Sequence, residues 1–260
     1  MTRNDPLPEI PHRFNVAAYF IDRHIGEARG AKIAIECGDE RVTYRQLFER
    51  VNRAGNALRQ LGLRMEERVF LALEDTPEFI YCFFGAIKIG AVPVPVNTYL
   101  KPAEFQYLLN DCRARVAIIS AALRPQFEAI PCDALQCLQQ RVFVGQGGDG
   151  STLQSLMEAA SPELAAETTT RDDVAFWLYS SGSTGPPKGC VHLHHDMVVT
   201  SELYAKNILG IAENDRCFSV AKLFFAYGLG NAGYFPLAVG ATSILFPGQT
   251  SPANVFRVVE

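Results

Sequence analysis

Between Arg68 and Ser120 short apolar runs alternate with helical patterns, and that alternation leaves few folds open. Arg68 to Leu73 and Arg115 to Ser120 have the length and apolar content of buried strands. Thr76-Pro77 opens a helical pattern over Glu78 to Ile89 that Gly90 closes. Proline suits the first turn of a helix, and glycine the position past its last. Val92-Pro93-Val94-Pro95-Val96 reads as extended, and its prolines, lacking N–H donors, place it at a sheet edge. Lys101-Pro102 starts another helix, to about Cys112. Strands alternating with helices predict an α/β fold, doubly wound, with largely parallel sheets and flanking helices.

The flanking sequence extends this pattern. Val16, Ala17, Phe20, Ile21 and Ile25 form a helical stripe over Phe14 to Ala28. Ile33-Ala34-Ile35 and Arg41-Val42-Thr43 flank Gly38-Asp39 as a hairpin. Thr43 caps a helix running to about Leu61, with Leu47, Val51, Ala54, Leu58 and Leu61 on its core face, and Gly62 ends it. A weaker helical pattern from Ala122 to Gln140 breaks at Pro131, Arg141 to Val144 is a short strand, and Gly145 to Gly150 is a connector. Ser151 is placed as the cap of a short helix to Ala160. Residues 161–173 read as a crossing, dividing the chain into a first α/β subdomain over 1–165 and the start of a second over 166–260.

Chemistry concentrates after the apolar strand Val174 to Leu178, in Tyr179-Ser180-Ser181-Gly182-Ser183-Thr184-Gly185-Pro186-Pro187-Lys188-Gly189. The glycines permit backbone angles that turn successive amides inward, and a nest of N–H donors binds anions. Ser180, Ser181, Ser183 and Thr184 add hydroxyl donors without adding charge, and Lys188 supplies a point cation behind two stiff prolines. Such a stretch fits a polyphosphate. It is not a Walker loop, because two residues rather than four separate Gly182 from Gly185, and Gly189 rather than a hydroxyl residue follows Lys188.

Composition narrows the partners. A net charge of −4 with no basic block argues against nucleic acid. Residues 223–256 carry no charge, but Gly228, Gly230, Gly233, Pro236, Gly240, Pro247 and Gly248 interrupt them, which argues against a membrane span. Seven scattered cysteines without a C-x-x-C pair suggest reduced thiols and a cytoplasmic setting. Val191-His192-Leu193-His194-His195-Asp196 lacks the spacing of a zinc site. A metal is therefore not expected there, and Asp196 is placed as the cap of a helix over Met197 to Leu209. Lys222-Leu223-Phe224-Phe225-Ala226-Tyr227-Gly228, after a strand from Arg216 to Val220, sets aromatic rings beside a glycine, as a flat apolar slot for an aromatic acid needs. An ordinary aromatic core turn and helix start is the plainer alternative for it.

The Tyr179–Gly189 stretch resembles the phosphate loop of the adenylate-forming enzymes, among them acyl-CoA synthetases, aryl-CoA ligases and luciferases. The aromatic run, with Phe235 to Thr242 behind it, resembles the acid-binding region of benzoate–CoA ligases. The resemblance implies ligation of an aromatic carboxylic acid to CoA at the expense of ATP, through an acyl-adenylate. It implies ATP contacts from Ser180, Ser181, Gly182, Ser183, Thr184 and Gly185, a catalytic role for Lys188, and an acid pocket at Phe225, Ala226, Tyr227 and Gly228. A triphosphate carries about four negative charges, so Mg²⁺ and N–H donors are expected to share its neutralisation. The family's Mg²⁺, ribose and second-domain lysine elements fall beyond Glu260, so the chain is expected to be the front portion of such an enzyme, inactive by itself. Related readings are a 4-hydroxybenzoate or cinnamate-type ligase, or a silent nucleotide-binding module. Homodimerisation is compatible with the sequence.

Overall fold

A computed structural model describes residues 8–145, 152–180 and 185–260. In chain order the strands are β1 (Ile33–Cys37), β2 (Glu40–Thr43), β3 (Arg68–Ala72), β4 (Val92–Pro95), β5 (Val116–Ser120), β6 (Gln140–Val144), β7 (Val174–Ser180), β8 (Lys188–Leu193), β9 (Arg216–Phe218) and β10 (Thr242–Leu245). One sheet is all-parallel in the order β4-β3-β5-β6, with proline-bearing β4 at its edge. A second has the order β2-β1-β10-β9, parallel except for the β1–β2 hairpin, and β7 and β8 pair separately as an antiparallel ribbon.

The parallel sheet is covered on both faces, and its residues divide by parity. Val69 and Leu71 join a core with Leu47, Val51, Phe79 and Phe83, residues of the helices Tyr44–Gln60 and Pro77–Lys88. Phe70 and Ala72 join an opposite core with Phe105 and Phe127, from the helices Pro102–Asp111 and Arg124–Glu128. A strand buried on both faces needs apolar residues at successive positions, which is why β3 and β5 are continuous apolar runs. The first core runs on into the ribbon, where Phe176 of β7 packs edge-on against Phe83 at 5.4 Å.

Local chemistry sets the helix ends. Thr43 accepts from Gln46 N at 3.2 Å and its own N–H donates to Gln46 Oε1 at 2.9 Å, a reciprocal capping box. Lys88, fully buried, donates to Asp22 Oδ1 and Asn52 Oδ1, both at 2.6 Å, tying the helix Pro77–Lys88 to two neighbouring segments.

Several expectations are corrected. The stretch from Ala122 to Gln140 is three short pieces, Ala121–Leu123, Arg124–Glu128 and Cys132–Ala134, because Pro125 as well as Pro131 interrupts it. Thr152 caps the helix Leu153–Ala159 by accepting from Ser155 N at 3.2 Å; Ser151 lies outside the described residues. The helix placed over Met197 to Leu209 starts at His194, so Asp196 stands inside its first turn and accepts from Leu193 N at 3.0 Å. β8 and β10 were not read from the sequence; β10 lies between β1 and β9, so one sheet takes strands from both sides of residue 165.

Candidate active site

The hairpin of β7 and β8 frames the hydroxyl-rich stretch. Ser180, at the end of β7, pairs with Lys188, at the start of β8, with residues 181–187 between them in the sequence. Lys188 thus heads the return strand; it is not merely carried on a proline-stiffened exit. Ser181, Gly182, Ser183 and Thr184 lie outside the described residues. Gly185 has φ of 121°, a conformation that a side chain would strain. Ser180 and Lys188 are exposed, and Lys188 makes no ion pair among the described residues, which leaves its charge available to a ligand.

Both legs of the hairpin rest on one helix. Tyr179 donates to Asp111 Oδ2 at 2.5 Å, and Tyr107 donates to Pro187 O at 3.2 Å. Burial and the carboxylate beside it raise the Tyr179 phenol's pKa, which keeps it a neutral donor. The histidines of this stretch are held by local contacts. His194 is buried and accepts from Val16 N at 3.0 Å through Nδ1, and burial lowers its pKa to about 4. His192 stacks on Phe176 with centroids 4.5 Å apart, and His195 bonds Arg171 O at 2.9 Å through Nδ1.

The aromatic stretch forms a turn leading into a helix. Phe225, Ala226 and Tyr227 are exposed, Phe225 by 49% and Tyr227 by 67%, whereas Gly228 is buried. They therefore present an open aromatic face, built on the helix start that the sequence also allowed. Phe224 beneath them is buried and meets Tyr99 edge-on at 6.2 Å. A Cβ on Gly228 would lie 2.1 Å from Lys222 O, so only glycine fits where the helix folds back on its own approach.

A charged pair lies under this turn. Asp75, just past β3, accepts from Leu223 N at 3.0 Å, and its Oδ2 is 3.8 Å from Lys222 Nζ. Lys222 Nζ donates to Phe246 O at 2.8 Å and Gly248 O at 2.6 Å, just past β10. Burial raises the Asp75 carboxyl to about 6 against the opposing pull of the Leu223 N–H and Lys222. The carboxyl ends of β3, β9 and β10 converge here, where α/β sheets place their ligands. Sequence reasoning gave Lys222 and Asp75 no role. The available signal was a lone cation at the head of the uncharged run 223–256. Asp111 and Tyr107 carried no such signal.

Among the described residues no cluster of three or more His, Cys, Asp or Glu is placed to hold a metal ion. Among them, too, no helix is long and apolar enough to cross a membrane.

Residues 22–260 match the family described as AMP-binding enzyme. The chain is 46% identical over 253 residues to the benzoate–CoA ligase of Thauera aromatica, covering 97% of this chain and 48% of that protein. It is 42% identical to the 4-hydroxybenzoate–CoA/benzoate–CoA ligase of Rhodopseudomonas palustris, covering 94% of this chain and 45% of that protein. The crystal structure of an anthranilate CoA ligase in complex with anthranoyl-AMP superposes with a TM-score of 0.93 at 37% identity, covering 98% of this chain and 49% of that one. The chain thus spans about half the length of the curated relatives it matches.

Proposed function

We propose a function from one premise: this chain belongs to the AMP-binding enzyme family. The function is that of a ligase that joins an aromatic carboxylate of the benzoate type to CoA. A carboxylate oxygen attacks the α-phosphorus of ATP, the bond to the β-phosphate oxygen breaks, and pyrophosphate leaves with the electron pair. The thiol of CoA then displaces AMP from the acyl carbon and loses its proton. Use of ATP and CoA is consistent with a cytoplasmic enzyme, and an aromatic acid substrate with a role in the degradation of aromatic compounds.

The observation that carries this reading is the hairpin that brings Lys188 opposite Ser180 at the two ends of a Ser/Gly/Thr-rich turn. A stretch of that composition offers donors to the β- and γ-phosphates, and the Lys188 ammonium, without an ion-pair partner among the described residues, stabilises charge on the leaving pyrophosphate. The similarity to benzoate, hydroxybenzoate and anthranilate ligases supports an aromatic acid, and the open face of Phe225 and Tyr227 supplies a surface for its ring.

ATP–pyrophosphate exchange in the intact protein tests the reading. Benzoate, the hydroxybenzoates and anthranilate should each be tried against acetate and a long-chain fatty acid. Exchange driven by one or more of the aryl acids, and weakly by the aliphatic ones, is expected. Exchange with aliphatic acids alone would defeat the assignment.

A further inference from the structure

The turn that carries Phe225, Ala226 and Tyr227 is pinned from below by buried charge. Lys222 and Asp75 are 7% and 5% exposed, and their polar contacts come from three different strand ends. Asp75 follows β3 and holds Leu223 N at 3.0 Å. Lys222 follows β9, and its ammonium holds two carbonyls past β10, Phe246 O and Gly248 O. The carbonyl of Lys222 in turn accepts from Phe225 N at 3.0 Å and lies where a side chain on Gly228 would stand. A displacement of Lys222 therefore moves both ends of the Phe225–Gly228 segment.

We infer that Asp75 and Lys222 are positioning residues for the aromatic-acid face, setting affinity for the acid and not for ATP; this rests on the acid-binding reading of Phe225 to Gly228. Apolar packing could close this turn without the desolvation cost of two ions. What the ions add is direction. An ammonium shared between two carbonyls and a carboxylate on a single N–H fix the turn's register, which loose apolar contact does not. Among the described residues the pair makes no hydrogen bond or ion pair with β7 or β8, so the proposed nucleotide site is expected to be insulated from it.

The test compares wild type, Lys222→Met and the double variant Lys222→Met/Asp75→Ala in the intact protein, by ATP–pyrophosphate exchange. Removing Lys222 alone strands a buried carboxylate and can unfold the protein, whereas the double variant leaves neither charge unpaired. The expected result is a KM for the aromatic acid raised about fivefold or more in every folded variant, with the KM for ATP within about twofold of wild type. Both constants moving together, or neither moving, would overturn the inference. Hydrogen exchange of the 260-residue chain supplies a reading independent of activity. The Leu223 amide should exchange at least about tenfold faster in the double variant than in wild type. Equal rates would overturn the tie itself. A wild-type protein that exchanges with no aromatic acid would instead defeat the ligase reading, and the Leu223 amide would then decide whether the tie exists.

Discussion

Tyr179 donates to Asp111 Oδ2 at 2.5 Å, and that bond joins one leg of the hairpin to the end of the helix Pro102–Asp111. One turn earlier on the same helix, Tyr107 holds the other leg through Pro187 O. Residues i and i+4 lie on one helix face, so a single rigid element sets the spacing of both legs. Asp111→Ala and Tyr179→Phe should each raise the KM for ATP by about three- to tenfold and leave that for the acid unchanged. Because both remove the same bond, the double variant should be no worse than the poorer single one. Additive losses, or an unchanged KM for ATP, would show that the helix does not brace the turn.

Two buried histidines set the stability at mildly acid pH. His24 donates through Nε2 to Leu237 O at 2.8 Å, His194 accepts from Val16 N, and burial lowers both to a pKa of about 4. An unfolded histidine titrates near 6.5, so the unfolded chain binds more protons than the folded one between those values. The stability that each neutral imidazole contributes is complete above pH 6.5 and is lost as pH falls toward 4. Asp75 works in the opposite sense, since its raised pKa makes burial less costly as pH drops below about 6. In His194→Asn an amide oxygen replaces the acceptor without titrating. Its loss of stability between pH 7.5 and 5.0, read from urea unfolding, should be smaller than wild type's by roughly 2 kcal/mol. An identical pH slope would mean that His194 is not held neutral.

Ala226 is the small residue on the aromatic face, between the larger Phe225 and Tyr227. Replacing it by leucine adds volume where a ring is proposed to lie. Ala226→Leu should reduce exchange with para-substituted acids such as 4-hydroxybenzoate by about tenfold or more, and with benzoate by less. Equal losses for every aryl acid would remove the pocket assignment from this residue.

The parallel sheet was legible because its signals are local. The apolar runs at Val69–Ala72 and Val116–Ile119, the proline at 77 and the cap at Thr43 each act over a few residues, and each appears where expected. β8 was not legible: Lys188-Gly189-Cys190-Val191 is exposed along its length, and an edge ribbon needs no buried alternation. β10 is four residues inside a long uncharged run, and its partners β1 and β9 are supplied by tertiary structure. The motif residues themselves were visible. Their supports, Asp75, Lys222, Asp111 and Tyr107, were not, because each acts across a separation of 24 to 148 residues that no short-range pattern records.

Benzoate-dependent ATP–pyrophosphate exchange of the intact protein, wild type against Lys188→Ala, bears most directly on the proposal that the hairpin grips the triphosphate. Lys188 is exposed at the head of β8, so its loss should leave the melting temperature unchanged while slowing exchange by about tenfold or more. Exchange at the wild-type rate in the alanine variant would contradict the account.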